Sequence, residues 1–314
     1  MTPQLLGVDL SGSAEEWKAR RRNSSVWIAT AHADAERLVV DDLRPVQALD
    51  GEGEPFERLI ALLRRTEGFA AIDAPFGVPR AHAASQAVLW AQVVALPQGR
   101  RPFGRGADFL RLLAPEAGRY GLKSYRQTEE VWLRRRLNVR PTLWGALGGG
   151  AAVTAACLTL LQRSGAPVWP LRQTGAGAVL VEAWPAAQLA AWGLQASGYS
   201  GTKPKPAAAR ERILAALIVA HGLRIPDRLS ELCRRSADAL DAVICAYAAK
   251  TLAEGRHPRQ LPAAARSEGW IVVDETAAAG AAPLLGAAAE HRARRHLDAL
   301  AALVADDTQS DSAV

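Results

Sequence analysis

Five carboxylates in this chain stand where a carboxylate is hard to accommodate. Asp9 closes the apolar run "LLGVD", Asp73 closes "FAAID", and Glu182 closes "VLVE". Asp238 and Asp241 lie in "SADALDAVICAYAAK", Ser236 to Lys250, a stretch otherwise built for burial. Residues three apart on a helix share a face, so these two acids project together. In an open α/β sheet, ligands bind beyond the carboxyl ends of the strands, where three strand-end acids can converge. Buried like charges repel, and a divalent cation compensates them. An all-oxygen donor set without a histidine cluster points to Mg²⁺ or Mn²⁺ rather than zinc. Two such ions, about 3.5–4 Å apart, clamp the attacking and leaving oxygens of a phosphoryl transfer.

Taken singly, each acid has a structural role open to it. Asp238 falls in a first helical turn, where the dipole favours a carboxylate. Asp9 can close a turn with Ser11 and Gly12, Asp73 can cap a turn before Pro75, and Glu182 can accept from backbone amides near Trp184. Asp241, set among Leu240, Ala242, Val243 and Ile244, has the weakest such role. The five as a set favour a site.

These acids need elements to carry them. Leu5 to Leu10 reads as a short buried strand, and "SVWIATAHA" and "ERLVVDDL" as two more, close enough in sequence for an antiparallel meander. "EPFERLIALLRR" has apolar residues at helical spacing. "GFAAIDAPFGVP" is a continuous apolar run stopped by Pro75, Gly77 and Pro79, as a central parallel strand would be. Residues 80–171 form a long helical and irregular insert, with a Gly-rich turn leading into a buried helix around Ala151 to Arg163. "GAVLVEAWP" is a further buried strand, "PAAARERILAALIVAHG" a helix with Gly222 at its C-cap, and "RSADALDAVICAYAAKTLAEG" a helix with Ser236 as N-cap. "EGWIVV" reads as a last strand or extended segment. The expected organisation is one α/β domain over residues 1–275, followed by an Ala-rich helical or disordered tail, 276–314, ending in "DDTQSDSAV".

Composition narrows the class. The chain has 314 residues, 49% hydrophobic and 22% charged, which is globular composition. Its net charge of +6 is matched or exceeded between Arg100 and Arg140, where 11 basic and 4 acidic residues give +7. That cluster reads either as a solvated arginine-rich surface or as a footprint for phosphates. The three cysteines form no C-x-x-C pair, so neither a zinc site nor a disulfide framework is expected, and a reducing cytoplasm fits. "MTPQLLGVDLSG" lacks the basic and apolar regions of a signal peptide. Pro141 to Gln162 is uncharged and long enough to cross a bilayer, but three consecutive glycines break it, and no membrane association is expected.

The pieces "GVDLSG", "AAIDAPFGVP", "VEAWP" and "DALDAVICAYAA", in that order, resemble domain-of-unknown-function family 429, described as predicted nucleases of the RNase H-like superfamily. The D-x-x-D helix is also similar to that of RuvC-type Holliday-junction resolvases. The resemblance implies a mixed five-stranded sheet in order 3-2-1-4-5, flanked by helices. It implies that Asp9 bridges the metals and that Asp73, Asp238 and Asp241 complete their shells, with Glu182 either a ligand or just behind one. "YRQTEEVWLRRR" resembles an arginine/acid motif of such proteins, which would bring Arg126 and Arg134 to the cleft. "GYSGTKPKP" resembles a lysine-bearing loop of resolvases, which would bring Lys203 and Lys205 to a phosphate; a solvated loop is the alternative. Trp132 and Trp144 are either base-stacking or core residues.

The expected function is therefore a divalent-metal-dependent nuclease acting on DNA or RNA, in which resolvase chemistry would favour a homodimer. Two alternatives stand beside it. One is an RNase H-like nucleic-acid-binding scaffold that has lost its chemistry. The other is an actin-like ATP phosphotransferase, suggested by "DLSG" but lacking a second such strand motif and any G-x-x-x-x-G-K-[ST].

Overall fold

Alternating apolar positions near the N-terminus build the centre of a mixed sheet. The computed structural model describes residues 2–275, apart from 84, 147–148 and 258–259. The expectations for the tail, 276–314, lie outside the described residues. The strands are β1 (Gln4–Asp9), β2 (Trp27–Asp34), β3 (Arg37–Pro45), β4 (Gly68–Asp73), β5 (Val179–Ala183) and β6 (Leu223–Arg224). Their order across the sheet is β5-β4-β1-β2-β3-β6. β1 pairs antiparallel with β2, and β2 with β3; β1–β4, β4–β5 and β3–β6 are parallel.

The sheet thus differs from the expected five strands in order 3-2-1-4-5. A sixth strand lies beyond β3. It is two residues long, between Gly222 at a φ of 65° and Pro226, and too short to leave a periodic signal. "EGWIVV" does not make a strand of its own. It contributes one parallel bridge, Ile271 beside Glu182, with the Val272 N–H donating to the Glu182 carbonyl at 2.9 Å.

Strand side chains alternate between two cores. Leu6, Val8, Ala70, Ile72 and Leu180 face one side. There they meet α1 (Pro55–Arg65), α2 (Gln86–Val94), α3 (Gly106–Leu113) and α5 (Ala151–Ser164). Leu5, Ala71, Val181 and Ala183 face the other side. That face is covered by α9 (Ala237–Ala253), supported by α7 (Pro204–Ala220) and α8 (Asp227–Arg235). A small third core joins α4 (Gln127–Arg134) to α6 (Pro185–Ala191) through Trp132, Val139, Ala187 and Ile271.

The uncharged stretch from Pro141 resolves into a turn and the 14-residue α5. Among the described residues no helix is long and apolar enough to cross a membrane. α9 is enclosed almost all round, and its contact with β1 is backbone on backbone. A Cβ on Gly7 would sit 1.9 Å from the Ala242 carbonyl oxygen. Glycine at position 7 and alanines along α9 are what let the helix lie this low on the sheet.

Candidate metal centre and its cavity

Asp9 and Asp73 are the last residues of neighbouring parallel strands, and they are in register. Paired residues on parallel strands point to the same face, so both carboxylates turn toward α9. α9 begins above them. Its N-cap, Ser236, accepts from the Ala239 N–H at 3.2 Å, which fixes where the first turn starts. Asp238 falls in that first turn and Asp241 in the turn after it. The four acids line one cavity of about 870 Å³.

Burial and crowding make these acids reluctant to ionise. Asp9 is 9% exposed. Its carboxyl is held well above the usual range, first by desolvation and then by the charges of Asp73, Asp241 and Asp238. Asp73 is pushed up to about 7, mainly by burial; the Arg140 charge opposes the shift, while Glu182 and Asp238 add to it. Asp241 is raised by burial and by Asp73, and pulled partly back by the Tyr199 hydroxyl, which donates to its Oδ1 at 2.9 Å. Asp238 is raised by burial and by Glu16, against the opposing charge of Arg210.

Among the described residues no lysine or arginine forms an ion pair with any of the four. An oxygen-only set that repels itself, with Arg140 and Arg210 acting on it only at a distance and no direct ion pair, fits a hard divalent ion. Among the described residues, no group of three or more His, Cys, Asp or Glu is drawn together as a ready-made metal cluster.

Glu182 does not join them. It pairs with Ile72, one residue before Asp73, so its side chain leaves by the opposite face of the sheet. There its carboxylate accepts from Arg126 Nη1 and Nη2 at 2.8 and 2.6 Å and from the Phe76 N–H at 3.1 Å. Glu182 still lines the cavity and acts on Asp73 through its charge, but its oxygens are engaged by Arg126.

Arg126 therefore corrects the expectation of a nucleic-acid contact. It is 1% exposed, its Nε donates to Glu129 Oε1 at 2.9 Å, and Nη1 also reaches the Glu268 carbonyl at 3.0 Å. No donor is left for a phosphate, because Arg126 is needed to balance two buried glutamates. Arg134 is exposed and lies 3.8 Å from Glu130. Lys203 and Lys205 are exposed at the start of α7. None of these three is among the residues lining the cavity. Trp132 is a core residue. Trp144 is half-buried, with Lys123 Nζ 4.9 Å from its ring centre.

Three residues at the site carried no sequence signal strong enough to single them out. Tyr199 holds Asp241. Arg210, buried in α7, donates to the Tyr199 and Gly201 carbonyls at 2.6 and 2.9 Å and to the Arg234 carbonyl at 2.7 Å. It ties the Tyr199 loop to the C-terminal end of α8, immediately before the Ser236 cap. Arg140 lines the cavity and faces Asp73 electrostatically. Tyr199 sits beside glycine in "SGYSG", a turn signature that hides its side chain's role.

Fold and site together define an α/β protein with a mixed six-stranded sheet, flanking helices, and a carboxylate-lined cavity at the carboxyl ends of its parallel strands. The chain belongs to the family described as protein of unknown function, DUF429, whose model matches residues 7–267. No curated protein and no solved structure matches it.

Proposed function

We propose that this protein is a divalent-metal-dependent nuclease of RNase H-like type, hydrolysing phosphodiester bonds of DNA or RNA. The observation that carries this reading is the pairing of Asp9 with Asp73 at adjacent parallel strand ends, beneath the Asp238 and Asp241 turns of α9, with no direct ion pair to any of the four among the described residues. Those four carboxylates would hold Mg²⁺ or Mn²⁺. When bound, such ions supply an activated water and neutralise charge on the phosphoryl group.

The chain's own residues do the rest. Asp9 feels the charges of Asp73, Asp241 and Asp238 together, and it would be the acid shared between the ions. The Tyr199 hydroxyl fixes the direction of Asp241. Burial pushes the Asp73 carboxyl up to about 7 in the metal-free site, so binding of a divalent ion would displace its proton. Arg126 and Glu182 brace β5 and α4 against the cavity wall. Arg134, Lys203 and Lys205, exposed outside the cavity, are placed to meet a nucleic-acid backbone. A cytoplasmic setting and a homodimer remain part of this proposal.

Cleavage of fluorescent single-stranded, duplex and branched DNA and RNA in Mn²⁺ tests it. Asp9→Asn and Asp241→Asn should each lower cleavage by at least about 100-fold while the variants stay folded. Full activity in either variant would remove that residue from the site. The spacing of the acids favours a second reading, a nucleic-acid-binding scaffold without chemistry. In that case Mn²⁺ would leave the melting temperature of the wild type unchanged.

A further inference from the structure

The lining of the cavity combines the four acids with an apolar wall, Leu137, Val139, Trp184 and Ile271, whose members belong to the third core. Val139 and Ile271 are buried in the third core with Trp132. Trp184 is half-buried, and the Trp132 ring meets it edge-on, with centroids 6.4 Å apart and planes at 88°.

The segment after α4 supplies polar groups to the same cavity. Arg136 has a φ of 63°, a left-handed turn that folds the chain back and brings residues 136–140 onto the cavity. Arg136 and Arg140 form no ion pair, and the Asn138 amide makes no hydrogen bond, among the described residues. Asn138 is exposed, so its amide can exchange solvent for the edge of a ligand, offering a donor and an acceptor side by side. A ligand spanning this space carries an anion at one end and a flat, apolar group with hydrogen-bonding edges at the other. At about 870 Å³ the cavity has room for a nucleotide or two, within the roughly 300–1,000 Å³ typical of small-ligand sites.

We infer that Trp184, packed with Val139 and Ile271 in the third core and sharing the cavity with Asn138, forms a nucleobase subsite, so that the site takes an unpaired nucleotide. A paired base keeps both faces stacked and its edge occupied, and does not enter such a space without leaving the helix. The placement of the phosphate next to the acids rests on the nuclease reading. The base subsite does not, because it is read from the apolar wall alone.

The test is binding of the full chain, in EDTA, to three probes: a single-stranded DNA decamer, the same decamer with abasic sites throughout, and the decamer as a duplex. The intact single strand should bind roughly 5- to 100-fold tighter than the abasic strand, the range expected of one stacked base. Trp184→Ala should remove that ratio and Trp184→Phe should keep most of it. Asn138→Ala should reduce it without touching the third core. The Mn²⁺-induced rise in melting temperature should persist in all three variants, which also reports that they are folded. An abasic strand or a duplex that binds as well as the single strand overturns the subsite, as does the absence of single-strand binding. If base-dependent binding holds but Mn²⁺ neither stabilises the protein nor supports cleavage, the nuclease reading falls and the subsite stands. If metal effects and cleavage persist without base preference, the subsite alone falls.

Discussion

At Asp73 burial, with Glu182 and Asp238 behind it, competes with the charge of Arg140, and burial wins. Its carboxyl rises from 3.8 to about 7, which means the fold prefers it protonated. The stability this contributes is fully present below about pH 4 and is lost as pH rises through about 7. Asp9 and Asp241 shift in the same direction. In chelator, the wild type should therefore lose melting temperature relative to Asp73→Asn as pH goes from 4 to 8. At pH 8 the variant should be the more stable by about 1–3 kcal/mol, and Mn²⁺ should reverse the order by binding only the ionised wild-type site. Parallel unfolding curves across pH, with and without Mn²⁺, check both signs. Glu182 predicts the opposite behaviour. Glu182→Gln leaves the buried Arg126 short of a counter-charge and should destabilise by about 3–5 kcal/mol at any pH near neutrality. A Glu182→Gln protein that melts like wild type but does not cleave would return Glu182 to the catalytic set.

Among the elements, the β1–α9 contact decides whether the acids meet. Gly7 has a carbonyl where its Cβ would be, so α9 lies directly on the strand. Gly7→Ala should lift the helix and with it Asp238 and Asp241. The cost should be at or beyond the upper end of the roughly 1–3 kcal/mol typical of overpacking, because the obstacle is backbone. Cleavage should fall more than the loss of folded protein accounts for. Activity per folded molecule, measured well below the melting temperature, separates the two effects. The same element also shows why Arg210 matters. It fastens the end of α8 and the Tyr199 loop to α7, so the start of α9 and the partner of Asp241 are held by one guanidinium.

Over the whole molecule the positive charge is more dispersed than the Arg100–Arg140 cluster implies. Arg105 and Arg111 are tied to Asp108, Arg126 is buried, and Arg135 lies over Trp132. If the protein acts on nucleic acid as proposed, backbone contacts would fall instead to exposed side chains such as Lys203 and Lys205. Each phosphate contact to a single strand adds about 0.7 to the slope of log K against log salt. Replacing both lysines with alanine should lower that slope by about 1.4 and weaken binding without changing base preference. An unchanged slope would take this loop out of the interface.

The sequence by itself determined what is local. The continuous apolar runs "LLGVD" and "FAAID" set two buried strands, and Ser236 and the apolar run behind it set the start of α9. Asp9, Asp73, Asp238 and Asp241 were legible because an acid closing or interrupting an apolar run is visible without knowing its neighbours. The tertiary structure decided what depends on offset between distant segments. β5 pairs with β4 so that Glu182 matches Ile72 rather than Asp73, and that single-residue step sends Glu182 to the other face. No local pattern encodes the step, because it is fixed by long-range strand pairing and by the buried Arg126 waiting on that side. The same holds for β6, which exists only because α7 returns the chain to the edge of β3, and for Tyr199, whose hydroxyl finds Asp241 only when the α7–α8 pair has been packed against α9.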